Sequence, residues 1–300
     1  MKLLITGAWK CNGDQLNALA QLGHEIVFMQ NEREALPCAY EDVEGVICNG
    51  LFLHHSIERF SNLRYIQLTS AGFDRVPMEY VRARGIEIHN ARGVYSIPMA
   101  EFAVMGVLQI YKQARFFADR QKAHCWEKHR GILELYGKTV CIVGCGSVGT
   151  ECAKRFAAFG CRVIGVDLYP KADAYYQHVY ALSDIDCALS QSDVVVLTLP
   201  LTDDTRHMMN DVRFGAMKDG AVLVNVARGA IVEESALQSA LDDKLQGAVL
   251  DVFETEPLPE DSWLWQREDV ILTPHNSFEG DGNAERLFSV FMDALTEKRG

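Results

Sequence analysis

Short apolar runs recur along this chain, and most are followed by stretches whose apolar residues stand three and four apart. Five runs in the first third read as strands: "KLLIT" (2–6), "HEIVFM" (24–29), "EGVICN" (44–49), "YIQLTS" (65–70) and "IEIHNA" (86–91). Between the first two lies "DQLNALAQLG", a helical pattern with Asp14 as its predicted N-cap and Gly23 as its stop. A long helix is predicted from about Pro98 to Ala118, with the proline in the first turn, where its missing N–H costs nothing. A second strand series follows: "TVCIVG" (139–144), "CRVIGVD" (161–167), "SDVVVLTLP" (192–200), "GAVLVNVA" (220–227), "GAVLDVF" (247–253) and "DVILTP" (269–274). From Gly282 onward the pattern is again helical.

Strands alternating with helices predict parallel sheets covered on both faces. The expectation is an α/β protein of two doubly wound parallel-sheet domains joined by a long helix. One domain takes residues 1–97 plus 277–300, with the tail crossing back onto it, and the other takes 98–276. No sequence repeat relates them. A single large sheet is the alternative, disfavoured because one core seldom grows past about 250–300 residues.

Composition removes several function classes. The formal net charge of -12 repels phosphate backbones and anionic membranes, which argues against a nucleic-acid partner. No apolar run reaches membrane-spanning length, and the opening "MKLLITGAWKCNG" is too short for a signal peptide's apolar region. The nine cysteines are odd in number and show neither a CxxC pair nor zinc spacing. A reduced, cytoplasmic, soluble protein without a metal site is expected.

The most specific local signal is "TVCIVGCGSVGTECAKRFAAFGCRVIGVD". Gly144, Gly146 and Gly149 form GxGxxG between a strand and a helix, and a second strand ends in Asp167. The first glycine permits a tight turn, the second lets a pyrophosphate approach the backbone, and the third packs helix on strand. Free N–H groups at the helix start suit phosphates. Asp167 would accept bonds from a ribose 2′-hydroxyl and repel a 2′-phosphate, which predicts a Rossmann domain for NAD over NADP. Cys145, inside the loop, is read as a small side chain before a redox group.

Three later segments place reactive residues just past strands. "VNVARG" carries Arg228, "LDVFETEP" carries Asp251, Glu254 and Glu256, and "ILTPHNS" carries His275. Ligands of open α/β sheets bind beyond the carboxyl ends of the strands, so these should converge at the nicotinamide. A guanidinium grips a carboxylate with paired hydrogen bonds. An imidazole gives or takes the hydroxyl proton while hydride moves, and a neighbouring carboxylate orients it and favours its charged form. That chemistry interconverts a 2-hydroxy acid and a 2-oxo acid. Asp251 and Glu254 could instead be solvated turn charges, the reading preferred for Glu254.

The chain resembles the D-isomer-specific 2-hydroxyacid dehydrogenase family over essentially its whole length. "GCGSVG" with Asp167, "VNVARG", "LDVFETEP" and "TPH" follow that family's motifs in order, and "TSAGFDRVP" and "NARGVYSIPMAE" match its substrate-domain loop and hinge. The resemblance implies a flavodoxin-like substrate domain beside the Rossmann domain. It implies that Arg228 binds the substrate carboxylate, that His275 is the acid/base, and that Glu256 pairs with His275 and raises its pKa. Asp251 would contact the nicotinamide carboxamide region, and Ser147 and Val148 would cover the pyrophosphate. Leu199, Pro200 and Thr205 would line the adenosine side, with Thr205 equally readable as a helix cap, and Val226 and Ala227 the nicotinamide side. Ser70, Ala71 and Gly72 would offer backbone N–H groups to the substrate, and Met99 occupies the hinge. A homodimer is implied, with the segment after Ala118 as a dimer arm. One departure stands out. The family commonly has glycine or alanine shortly after the histidine, where this chain has Ser277 and Phe278.

The loop "NGLFLHH" (49–55) carries Leu51 and Phe52 and no cation before Arg59. A small or moderately apolar 2-oxo acid is therefore expected rather than a phosphorylated one. Formate dehydrogenase, a similar fold, has glutamine where Glu256 stands. The rival from another class is an NAD-sensing binding protein of the same fold.

Overall fold

The computed structural model describes residues 1–296. The last four residues of the expected 277–300 segment lie outside the described residues. The chain divides into two compact units, Met1–Tyr95 with the end of the chain from Gly280, and Ser96–Glu279.

The first unit is built on β1 (Lys2–Thr6), α1 (Gly13–Gln21), β2 (Glu25–Met29), β3 (Gly45–Cys48), β4 (Tyr65–Leu68), α2 (Met78–Ala83) and β5 (Glu87–His89). Its five strands are all parallel in the order β2-β1-β3-β4-β5. Successive residues of a strand face opposite sides of the sheet. Leu3, Ile5, Ile47 and Tyr65 fill one side, while Leu4, Val46 and Ile66 fill the other. The closing helix, Asn283–Thr296, lays Leu287, Phe291 and Leu295 on the first of these sides. Their spacing of four keeps them on one helical stripe. Trp9 anchors this helix: its ring meets Phe291 edge-on at 5.1 Å, and its indole N–H donates to the Ala284 carbonyl at 3.2 Å.

The N-cap of α1 is Asn12, not Asp14. The Asn12 side chain accepts from the Gln15 N–H at 2.9 Å, and Gln15 returns the bond to the Asn12 N–H at 3.0 Å. This reciprocal box satisfies two N–H groups at once, which Asp14, already inside the first turn, cannot do.

The second unit contains α3 (Ser96–Tyr111), α4 (Ala114–Lys122), β6 (Thr139–Val143), α5 (Ser147–Ala158), β7 (Arg162–Asp167), β8 (His178–Ala181), α6 (Ile185–Leu189), β9 (Val194–Leu197), α7 (Asp211–Ala216), β10 (Val222–Asn225), α8 (Glu234–Asp243), β11 (Gly247–Leu250) and β12 (Val270–Leu272). Its seven parallel strands run β12-β11-β10-β9-β6-β7-β8. The predicted single helix from Pro98 to Ala118 is two helices. Gln113 adopts φ 54, a left-handed conformation that ends α3, and its side chain satisfies the Ile110 carbonyl at 3.1 Å. Neither glycine nor proline marks the break. β8 escaped the sequence reading because it is a short, half-exposed edge strand without a buried apolar run.

A charged clasp holds the amino end of this sheet. Asp193 accepts from the Thr139 N–H at 2.8 Å and from the Lys218 ammonium at 2.5 Å. Burial by itself would raise its pKa, but the ammonium and the N–H outweigh it and hold the carboxyl below its ordinary value. A lowered folded-state pKa contributes stability above the unfolded value and loses it as pH falls through the folded one. Asp193→Asn should therefore cost about 1 kcal/mol at neutral pH. The gap to the parent in urea-melt stability should close as pH drops below about 4; a gap of constant size across that range would contradict this account.

Candidate active site

The glycine loop is shaped by close approaches. Gly144 sits at φ 99, and a Cβ there would lie 2.7 Å from the Leu199 nitrogen. A Cβ on Gly149 would lie 2.1 Å from the Gly144 oxygen, whereas one on Gly146 would meet nothing within 4 Å. The first and third glycines are thus required by packing, and the second leaves the backbone open at the start of α5. At the end of β7, Asp167 accepts from the Cys145 N–H at 2.7 Å and from the Tyr169 N–H at 2.9 Å. The carboxylate is anchored to the loop whose ligand it would help hold. Ser147 and Val148 form the first turn of α5. These features fit a dinucleotide: an open amide cradle at a helix N-terminus with an acidic group at the next strand end.

Leu199 is buried and Pro200 exposed beyond β9. Thr205 caps no helix. Its hydroxyl accepts from the Thr202 N–H at 2.7 Å and donates to the Pro200 carbonyl at 2.8 Å, closing the turn between them. The side chains of Val226 and Ala227 are both buried, in the cores on opposite faces of the sheet. Met99 packs on the core shared by α3 and α5.

Arg228, Glu256 and His275 follow the ends of β10, β11 and β12, three neighbouring strands that all point the same way. Arg228 is exposed and donates to the Ala227 carbonyl at 2.7 Å. The glycine after it is compulsory, since a Cβ on Gly229 would stand 1.9 Å from the Phe253 carbonyl carbon. That contact presses the Arg228 turn against the segment leading to Glu256. The Glu256 carboxylate accepts from the Phe253 N–H at 3.0 Å through one oxygen, and the other oxygen lies 2.8 Å from Nδ1 of His275. With Nδ1–H donated to the carboxylate, Nε2 is left for proton exchange with a substrate.

Asp251 follows the end of β11. It is 0 % exposed, and its oxygens accept from Thr273 Oγ1 at 2.7 Å, Asn276 N–H at 2.8 Å and Ser277 N–H at 2.9 Å. Its carboxylate is engaged by the turn that carries His275. Glu254 lies among charged side chains at the surface, 3.1 Å from His207 Nε2 and 3.6 Å from Arg206. The departure after the histidine is also accounted for. Ser277 is buried and small, and Phe278 stands edge-on to the imidazole with ring centroids 6.1 Å apart.

In the first unit, Ser70, Ala71 and Gly72 follow β4. Ser70 donates its hydroxyl to the Gly72 carbonyl at 2.9 Å, and Asn90 donates to the Ala71 carbonyl at 2.6 Å. The neighbouring loop is pinned by Glu32, whose carboxylate accepts at 2.7 Å from Thr6 Oγ1 and from the N–H groups of Asn49 and Gly50. Leu51 is a core residue at 0 % exposure; the outward apolar side chain of this loop is Leu53. Among the described residues no group of three His, Cys, Asp or Glu side chains is placed to hold a metal ion.

Residues 104–277 match the family model for the D-isomer specific 2-hydroxyacid dehydrogenase NAD binding domain. The chain belongs to that family. Members similar to it include a glyoxylate reductase of Thermofilum pendens, 34% identical over 84% of this chain and 77% of that one. A D-3-phosphoglycerate dehydrogenase of Methanocaldococcus jannaschii is 33% identical over 92% of this chain, which spans only about half (53%) of that relative's length. Among solved structures, the D-lactate dehydrogenase of Aquifex aeolicus, crystallised with NAD and lactic acid, superposes with a TM-score of 0.77 at 25% identity, covering 98% of this chain and 94% of that one.

In this family member, the NAD-binding domain has a cysteine in the middle of its glycine loop. Burial pushes the Cys145 thiol up to about 12, and its sulfur points toward the Val166 carbonyl rather than toward the open side of the loop. At neutral pH it is protonated and a poor nucleophile. Iodoacetamide should modify the exposed Cys125 and Cys187 well before Cys145. Peptide mass spectrometry showing Cys145 alkylated as fast as those two would contradict this.

Proposed function

We propose that this protein interconverts a small D-2-hydroxy acid and its 2-oxo acid, with NAD(H) as hydride carrier. The contact between Glu256 and Nδ1 of His275, one strand away from the Arg228 turn, carries the reading. Gly144, Gly146, Ser147, Val148, Gly149 and Asp167 would hold the cofactor, which supplies the hydride when bound. The anionic Asp167 supports NAD over NADP, because a 2′-phosphate beside it would face a like charge.

Arg228 grips the substrate carboxylate and draws electron density from the adjacent keto group. His275 hands a proton from Nε2 to the keto oxygen as that oxygen gains charge, and in the reverse direction takes it back. Glu256 holds the ring by Nδ1 and fixes its orientation. The imidazole is partly open to solvent, which allows it to be reprotonated between turnovers. Ser70, Ala71 and Gly72 are proposed as backbone donors to the substrate carboxylate. The outward Leu53 supports a small or moderately apolar substrate. The Arg75 side chain lies near Gly50, which puts a cation beside the 49–55 loop that the loop's own sequence did not reveal. The free state of all nine cysteines supports a reducing compartment such as the cytoplasm. The exposed Trp126 and Tyr136, beyond α4, support a homodimer arm.

A panel of 2-oxo acids assayed with NADH and with NADPH tests the proposal. It should include glyoxylate, pyruvate, branched 2-oxo acids, a 2-oxo dicarboxylate and 3-phosphohydroxypyruvate. Turnover with NADH of the small or apolar acids is expected. Preference for the phosphorylated acid would overturn the substrate assignment, and NADH binding without any turnover would favour a nucleotide-sensing protein. Arg228→Ala should lower kcat/KM by about 100-fold or more, the scale of losing a charge-assisted bidentate contact. NADH affinity, read by fluorescence titration, should stay within about twofold of the parent, on the scale of a residue outside the phosphate cradle.

A further inference from the structure

Two buried polar residues stand where the sheet pattern calls for apolar ones. Asn225 ends β10 and Asp251 follows β11, at 1 % and 0 % exposure. Polar groups so buried are costly unless their hydrogen bonds are made inside the protein. Each makes them to a turn that carries a reactive residue. The Asn225 carboxamide accepts from the Ala227 N–H at 3.1 Å and donates to the Arg228 carbonyl at 3.0 Å. The Asp251 carboxylate accepts from Thr273 on one side of His275, and from the Asn276 and Ser277 N–H groups on the other. The two are themselves joined. Asp251 N–H donates to the Asn225 carbonyl at 3.0 Å, and His275 N–H donates to the Asp251 carbonyl at 2.8 Å.

His275 needs such a hold. It sits at φ 51, a left-handed conformation that non-glycine residues rarely adopt unless their surroundings impose it. Glu256 touches only the ring, so something else must fix the backbone.

We infer that Asn225 and Asp251 are positioning residues, a buried polar tie that sets the Arg228 turn and the His275 turn in one register. Asp251 acts on the backbone around His275, and Glu256 acts on its ring. This rests on the reading of Arg228 and His275 given above.

Asp251→Asn keeps the shape but replaces one acceptor oxygen by an N–H₂ group facing N–H donors. Expected in this variant is a fall in kcat of about 100-fold, the scale of a misplaced reacting group. KM for the 2-oxo acid should stay within about twofold, since Arg228 is not touched. Amide hydrogen exchange of segment 273–279, read by mass spectrometry on the full chain, should speed up. Glu256→Gln, which alters only the ring contact, should lower kcat as well but leave that exchange unchanged. Thr273→Val removes a single bond and serves if the first variant does not fold; it should show the same pattern, with kcat lowered by about tenfold. Unchanged exchange in 273–279, or kcat within about threefold of the parent, overturns the inference. If no 2-oxo acid is turned over by the parent, the functional reading fails by itself, and the exchange measurement still decides the positioning role.

Discussion

The hydrogen-bonded register of three parallel strands, β10, β11 and β12, underlies everything proposed for the second unit. Parallel pairing sends all three chains out of the sheet at one edge. Residues far apart in sequence, Arg228, Glu256 and His275, are therefore neighbours in consequence of backbone geometry. The buried ends of those strands carry the register outward. Asp251 donates its N–H to the Asn225 carbonyl, and both side chains bond the turns beyond, so the order of the sheet persists for several residues past its last regular pair.

Close packing then converts that register into a shape. Gly229 lies against the Phe253 carbonyl, and Gly144 against Leu199; no side chain fits at either place. The same economy applies to charge. Glu256 is held by a backbone N–H before it meets the imidazole, and Asp167 is held by the Cys145 N–H beside the glycine loop. Carboxylates fixed in this way act on a partner without first paying to become ordered.

Much of this was readable from the residue order. Short apolar runs marked eleven of the strands, and four spaced motifs indicated a dinucleotide loop with three reactive strand ends. What escaped had identifiable reasons. The half-exposed β8 carries too little apolar signal. The left-handed Gln113 divides a helix without glycine or proline to announce it. Asn12 caps α1 because its side chain, not that of Asp14, reaches the Gln15 N–H. Leu51 was taken for a pocket residue and is core, since a loop's sequence does not tell which of its apolar residues turns inward. Asn225 was passed over although a lone amide in "VLVNV" is itself a sign of a buried polar contact.

By itself the sequence determined the α/β architecture, the family, the glycine loop with its acidic partner, and the candidates for proton transfer and carboxylate binding. Those depend on periodicity and on residue chemistry at short spacing, both of which a linear order contains. The tertiary structure decided which donors meet the Asp251 carboxylate, how Phe278 stands against the imidazole, and that Thr205 closes a turn. Each of these depends on which donors lie within about 3 Å once the chain has folded. A carboxylate in a motif does not announce its donors: Asp251 accepts three bonds from a turn more than twenty residues away, and only the folded chain brings them together.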